Sequence, residues 1–131
     1  MTTLLPAAPV GLSKRQKELL ERRLEAERRD TEFAMLQLTS DVSVVQKSRH
    51  DSPTDDEHDP EGPTLAFEQS QAAALLRQAT SRLDDIDHAL SRITVGTYGT
   101  CIGCGQAISY ARLGARPYAS HCIVCAQRLS A

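Results

Sequence analysis

The chain has 131 residues, enough for one ordinary domain at most. Aromatic residues make up only 4% of it and tryptophan is absent, so a large globular core is not expected and another source of stability is needed. The net charge of −2 gives no whole-chain argument for nucleic-acid binding, and no apolar run approaches the roughly 18 residues of a membrane span.

Residues 1–12 are interpreted as a flexible arm because they carry Pro6 and Pro9. They lack the basic start of a secretory signal, so a cytoplasmic location is expected.

A first helix is predicted from Ser13, which can cap it, because residues 14–45 contain no glycine or proline. Seven bases and four acids occur in residues 14–29, so this part is locally basic. Two interpretations stay open: a solvated helix face, or a surface that docks on an acidic partner. Ion pairs at i,i+4 spacing are expected between Glu18 and Arg22 and between Glu25 and Arg29.

The first helix has an apolar seam with alternating steps of four and three, as a coiled coil requires. Its positions are Leu20, Leu24, Glu27, Thr31, Ala34, Leu38, Asp41 and Val45, of which three are polar. The neighbouring Phe33, Met35 and Leu36 are expected to add to the core.

An acidic loop is predicted over residues 49–63, where Pro53, Pro60, Gly62 and Pro63 should interrupt any helix. From Asp51 to Glu61 there are six acids and neither lysine nor arginine. Composition alone favours a solvated loop.

A second helix is predicted from Thr64 to Val95, ended by Gly96 as a C-cap glycine. Eight of the nine seam positions are apolar: Leu65, Gln69, Ala72, Leu76, Ala79, Leu83, Ile86, Leu90 and Ile93. Two such helices joined by a short loop should pair, since neither is stable alone. The expected fold is therefore mostly α, with a long antiparallel two-helix coiled-coil hairpin over residues 13–96, formed by 13–48 and 64–95.

All four cysteines lie in the last part of the chain, as the pairs Cys101–Cys104 and Cys122–Cys125 with seventeen residues between them. Two Cys-x-x-Cys turns supply the four thiolates of a tetrahedral structural zinc site. Disulfides would need an oxidising compartment, and a redox pair would need a βαβ context. The sequence therefore predicts one Zn²⁺ in a four-cysteine module over residues 97–131.

Within this module, Gly103 and the following Gly105 are expected to allow a tight turn with positive φ. A short strand or a pair of turns is expected over 106–121, followed by a short terminal helix that carries the second cysteine pair. His121 adjoins a ligand, but four thiolates already satisfy zinc, so it is interpreted as a residue beside the site and not as a ligand.

The cysteine pairs and their surroundings resemble the DksA/TraR family of bacterial transcription regulators. The residues that carry the resemblance are Tyr98 to Gly105, Ile108, Arg112 to Pro117 and Cys122 to Cys125. The resemblance implies a regulator that binds RNA polymerase and inserts its coiled coil into the secondary channel, with an acidic tip near the active site.

The tip residues that the resemblance implies are Asp55, Asp56, Glu57, Asp59 and Glu61. Asp56 and Asp59 have the family's aspartate spacing, whereas Glu61 stands where the family has alanine. The resemblance also implies that the protein does not bind DNA sequence-specifically. Separately, a monomer without membrane attachment is expected.

The alternative is a zinc-stabilised module that binds nucleic acid or another protein. Nucleic-acid binding would need a basic, aromatic surface near the zinc, and residues 97–131 offer three arginines and three tyrosines. An enzyme is not expected, because zinc held by four cysteines has no open position for water.

Overall fold

The computed structural model describes residues 11–51 and 62–130, and describes side chains for 11–41 and 64–130. Over this part of the chain there are four helices and one isolated antiparallel β-bridge, between Thr100 and Ala107. The helices are α1 (Lys14–Asp51), α2 (Gly62–Val95), α3 (Tyr110–Ala115) and α4 (Ile123–Ser130). The predicted fold is confirmed: a long antiparallel two-helix hairpin precedes a small four-cysteine module with a short terminal helix. No helix in the described ranges is long and apolar enough to cross a membrane.

Both predicted helix caps are present. The Ser13 hydroxyl accepts a hydrogen bond from the Gln16 N–H at 3.1 Å, and the Gln16 side chain accepts one from the Ser13 N–H at 2.9 Å. This reciprocal pair is a capping box, which satisfies two of the free donors at the start of α1. Gly96 ends α2 with φ +90°, and the N–H of Thr97 reaches the carbonyl of Arg92 at 2.9 Å, as in a Schellman motif.

Both long helices extend beyond their predicted ends. Helix α1 continues to Asp51 instead of residue 48, and α2 begins at Gly62 instead of Thr64. Pro63 therefore lies inside the first turn of α2 and does not interrupt the helix. The first turn tolerates proline because its backbone N–H has no partner within the helix. The rest of the predicted acidic loop and most of the predicted arm lie outside the described residues.

The chain divides into two compact units, and the first comprises the residues up to Arg28 together with those from Asp85 onward. Its core joins both long helices to the module. The buried residues are Leu20 and Leu24 of α1, Ile86 and Ala89 of α2, and Tyr98, Cys101, Ile108, Leu113 and Ala119. Burial of this apolar surface is the main stabilising contribution of the unit.

Arginines of α1 add polar contacts to the same unit. The Arg28 Nε lies 2.6 Å from Asp87 Oδ1 of α2, and the Arg23 guanidinium donates to the Gly114 carbonyl at the end of α3. Arg23 also pairs with Glu27 at 3.4 Å. By contrast, within the described residues no ion pair joins Glu18 to Arg22, or Glu25 to Arg29. That prediction was wrong because all four of these side chains are exposed, and a fully exposed i,i+4 pair gains too little to fix two long side chains. In the pair that does form, Glu27 is half-buried.

The second unit, residues Arg29–Asp84, is formed by the remaining parts of α1 and α2. Thr31 and Leu38 of α1 line a groove together with Leu75 and Ala79 of α2, so the two helices lie side by side in this unit. Phe33 is 64% exposed and Leu36 is 70% exposed, which corrects the prediction that these residues belong to the core.

Candidate metal centre

The first cysteine pair lies in a tight turn between residues 99 and 108. The N–H of Ile108 donates to the Gly99 carbonyl at 2.7 Å, and the N–H of Cys101 donates to the Gln106 carbonyl at 2.7 Å. Gly105 closes the turn with φ +75°, a conformation that glycine adopts without strain. The N–H of Gly103 points at the Cys101 sulfur, 3.3 Å away. This turn directs the sulfurs of Cys101 and Cys104 towards one point.

The second cysteine pair lies at the start of α4. The Cys122 carbonyl accepts the first helical hydrogen bond, from the N–H of Ala126 at 2.9 Å, and Cys125 lies in the first turn. The N–H of Cys125 points at the Cys122 sulfur at 3.5 Å. The start of α4 therefore faces the Cys122 sulfur, and the hydrogen bond from the Cys125 N–H lowers the pKa of Cys122 and favours its thiolate form. The N–H of Ile102 donates to the Ser120 carbonyl at 2.9 Å and joins the two pairs.

The sulfur atoms of Cys101, Cys104, Cys122 and Cys125 all lie within 4.8 Å of one another. The sulfurs of Cys104 and Cys122 are 3.8 Å apart, and all four cysteines are free of disulfides. Zinc–sulfur bonds of about 2.3 Å in a tetrahedron require sulfur separations of about 3.8 Å. The cysteine cluster therefore fits one structural zinc ion, as the sequence predicted.

The thiol pKa values within the cluster diverge. Burial opposes ionisation of Cys101, but hydrogen bonds from the backbone of Cys122, Cys104 and Gly103 outweigh it and lower its pKa to about 6. Interactions with the side chains of Cys122 and Cys101, together with burial, raise the pKa of Cys125 to about 12. Four neighbouring sulfurs cannot all carry negative charge without compensation. A divalent cation supplies that compensation, which is the chemistry of a structural zinc site.

Position 103 requires glycine because there is no room for a side chain, and not because of its backbone conformation. Among the described residues Gly96, Gly99 and Gly105 have positive φ and Gly103 does not. The prediction of positive φ is therefore confirmed at Gly105 and wrong at Gly103. A Cβ at Gly103 would lie 3.1 Å from the Cys125 sulfur and 3.3 Å from His121 Cδ2. The turn therefore lies directly against the second cysteine pair.

His121 lies beside the cluster, in keeping with its predicted place next to the site. Its Nδ1 is 2.9 Å from the Ser120 hydroxyl, and its backbone carbonyl accepts a hydrogen bond from Arg112 Nε at 2.8 Å. The cluster of possible metal-binding side chains in the described residues consists of the four cysteines. His121 thus helps to position the loop that precedes Cys122.

Residues 106–121 contain helix α3 and one end of the β-bridge, where the sequence predicted a strand or a pair of turns. The Ser109 hydroxyl caps α3 by accepting from the N–H of Arg112 at 3.2 Å, and Leu113 is fully buried. The helix forms because its cap and this single apolar anchor are both satisfied.

Tyr98 and Pro117 brace the module, a role that sequence reasoning missed. Tyr98 is buried, and its hydroxyl donates to the Pro117 carbonyl at 2.7 Å. Burial raises the pKa of Tyr98 to about 12. Both residues belong to the block that carries the family resemblance, which was the available signal.

The predicted tip residues lie outside the described residues. They are Asp55, Asp56, Glu57, Asp59 and Glu61, within the segment between α1 and α2. Their position at the tip of the hairpin therefore stays a prediction, whereas the four cysteines are brought together by the structure.

Residues 96–131 match the family model described as the prokaryotic dksA/traR C4-type zinc finger. An uncharacterised protein of Aquifex aeolicus is 45% identical to the chain over 47 residues. That match covers 36% of this chain and 32% of the relative, so the matched part is about a third of the relative's length.

Two solved structures are similar to the whole fold. Transcription factor DksA2 from Pseudomonas aeruginosa has a TM-score of 0.73 at 24% identity, and the similarity covers 90% of this chain and 85% of that one. The DnaK suppressor protein from Agrobacterium tumefaciens has a TM-score of 0.52 at 29% identity, over 85% of this chain and 91% of that one. The fold of this chain therefore also occurs in other proteins.

Proposed function

We propose that this chain is a member of the dksA/traR family, whose zinc-finger model matches residues 96–131, and that it regulates transcription by binding RNA polymerase. One observation carries the proposal: a four-cysteine module of this family is joined to a paired hairpin in the fold that transcription factor DksA2 also has. Fold and module together support the proposal more than either does alone, because a fold by itself does not imply a function.

In this proposal Cys101, Cys104, Cys122 and Cys125 are the four ligands of one structural zinc ion. The ion closes the module on which the ends of both long helices pack, through Leu20, Leu24 and Ile86. Metal binding then contributes to folding, because the site is not formed in the unfolded chain. The role of zinc is structural, and the protein is a regulator without catalytic activity of its own.

The hairpin is proposed to enter the secondary channel of the polymerase, with the acidic segment at its tip near the active site. Helices α1 and α2 have 38 and 34 residues and flank the segment that contains Asp56 and Asp59. Carboxylates delivered there could interact with a metal ion or with basic channel residues. The proposal includes the division into an arm (1–12), a hairpin (13–96) and a module (97–131), a cytoplasmic location and a monomeric state.

The test separates binding from effect. The variant Asp56→Asn/Asp59→Asn should retain polymerase affinity within roughly tenfold, which corresponds to about 1.4 kcal/mol. The same variant should lose most of its influence on transcription initiation in vitro. The reason is that two side chains contribute little contact area, whereas their charges would act close to the catalytic metal.

A matched control is Asp84→Asn/Asp85→Asn, which removes two exposed carboxylates from α2 away from the tip. If the tip variant regulates as well as the wild-type protein, the tip mechanism does not apply to this chain. If the wild-type protein does not bind the polymerase, the proposed function itself is wrong.

A further inference from the structure

The first two turns of α1 carry a shallow basic depression that the metal centre does not use. Lys14, Arg15, Glu18, Leu19 and Arg22 line it, and its volume is about 570 Å³. Three of these side chains are positive and one is negative, which gives a local net charge of +2. All five are exposed, and Leu19 is an apolar side chain with 44% of its surface in solvent.

The cations of this depression have no ion-pair partner within the described ranges. Neither Lys14, Arg15 nor Arg22 is joined to a carboxylate there, and the expected pair of Arg22 with Glu18 is not formed. Their charges are therefore not neutralised by a neighbour in that part of the chain. They remain available for a partner of opposite charge.

The depression faces away from the core. Lys14, Glu18 and Arg22 recur every four residues, so they lie on one face of the helix. Leu20 and Leu24 of the same helix are buried against the first unit's core and define the opposite side. A partner can therefore approach the basic face without displacing any core contact.

We propose that this depression docks on an acidic protein surface of RNA polymerase, an inference that rests on the proposed function. Two side chains favour a protein over nucleic acid. Glu18 lies between Lys14 and Arg22 and would repel a phosphate backbone. Leu19 offers apolar contact, and protein interfaces combine arginine with apolar side chains. The complementary surface carries carboxylates opposite the three bases and a cation or hydrogen-bond donor opposite Glu18.

The test is a titration of full-length protein against RNA polymerase at low and high salt. At roughly 50 mM salt, Arg15→Glu/Arg22→Glu should bind the polymerase at least about tenfold more weakly than the wild-type protein. At roughly 500 mM salt the difference in affinity should be much smaller, because screening removes interactions between exposed charges. The control Arg77→Glu/Arg128→Glu changes the net charge equally at exposed positions outside the depression, and should weaken binding less. Circular dichroism checks that each variant keeps its helices.

A third variant, Glu18→Gln, identifies the partner. On an acidic protein surface with a donor opposite Glu18, this change leaves affinity unchanged or lowers it. If it raises affinity, and a DNA duplex competes for the site, the partner is nucleic acid and the inference is wrong. If the wild-type protein binds polymerase and Arg15→Glu/Arg22→Glu binds equally well, the depression is a solvated face, while the proposed function stands. If the wild-type protein does not bind, both fail.

Discussion

Replacement of Gly103 by alanine tests the spacing of the metal centre most directly. The new methyl carbon would lie 3.1 Å from the Cys125 sulfur and 3.3 Å from both Cys125 Cβ and His121 Cδ2. Such contacts are several tenths of an ångström too short, and a sulfur bound to zinc cannot retreat without distorting the tetrahedron. Overpacking of this kind costs typically about 1–3 kcal/mol. We therefore expect zinc affinity to fall roughly 5- to 150-fold.

Gly114→Ala is the matched control. A Cβ at Gly114 meets nothing within 4 Å, and the residue lies in α3 without positive φ. Alanine there should stabilise the helix by up to about 1 kcal/mol and leave zinc affinity unchanged. Competition with a chromophoric chelator measures both affinities. If Gly103→Ala binds zinc as tightly as Gly114→Ala, the close approach of the two cysteine pairs is not as described.

Four further predictions concern stability, each measured by urea unfolding of the zinc-loaded protein unless stated. Tyr98→Phe should lower the free energy of unfolding by about 1–3 kcal/mol, because it leaves the Pro117 carbonyl without its buried donor. Ile86→Ala should cost about 2–5 kcal/mol, whereas Phe67→Ala, at a position 68% exposed, should change it by less than about 0.5 kcal/mol. Burial raises the pKa of Tyr98 to about 12, so the stability that the neutral phenol contributes is complete below the unfolded pKa of about 10 and is lost as the pH rises towards 12. The urea concentration at the unfolding midpoint should therefore decrease when the pH is raised from about 9 to about 11, and should decrease less for Tyr98→Phe. Removal of zinc with a chelator should unfold the four-cysteine module, and amide hydrogen exchange should show this as a loss of protection around Cys101. If that protection persists after complete removal of zinc, the ion does not have a structural role.

The parts of the fold with a repeated pattern could be predicted from the sequence. All nine predicted seam positions of α2 are buried or half-buried, because apolar residues repeat there over many turns. On α1 the prediction holds at Leu20, Leu24 and Thr31, which are buried, and at Glu27 and Leu38, which are half-buried. Ala34 and Asp41 are exposed, and the side chain of Val45 lies outside the described part. Small and polar residues do not define the phase of a helical repeat, so the hydrophobic pattern of α1 is too weak to predict every seam position correctly.

The zinc cluster could also be predicted, because cysteine spacing is a direct constraint on geometry. Helix α3 could not be predicted, because its six residues are too few to show a helical repeat of apolar side chains. It also depends on contacts with residues that are distant in the sequence. The Arg23 side chain, which reaches the carbonyl of Gly114, is one such contact. The space required at Gly103 depends on Cys125, and no local pattern contains that information.

The composition of the first unit has a consequence for the order of folding during synthesis. Leu20 and Leu24 pack with residues beyond Asp85, and the contact of Arg28 with Asp87 spans 59 residues of sequence. At roughly 5–20 residues per second, a ribosome takes about 3–11 s to translate the stretch from Arg28 to Asp85. The second unit is continuous in sequence and can therefore form first. Leu20 and Leu24 stay unpacked until the residues beyond Asp85 have been synthesised. Capture of the metal comes last, because Cys125 is made after every other ligand.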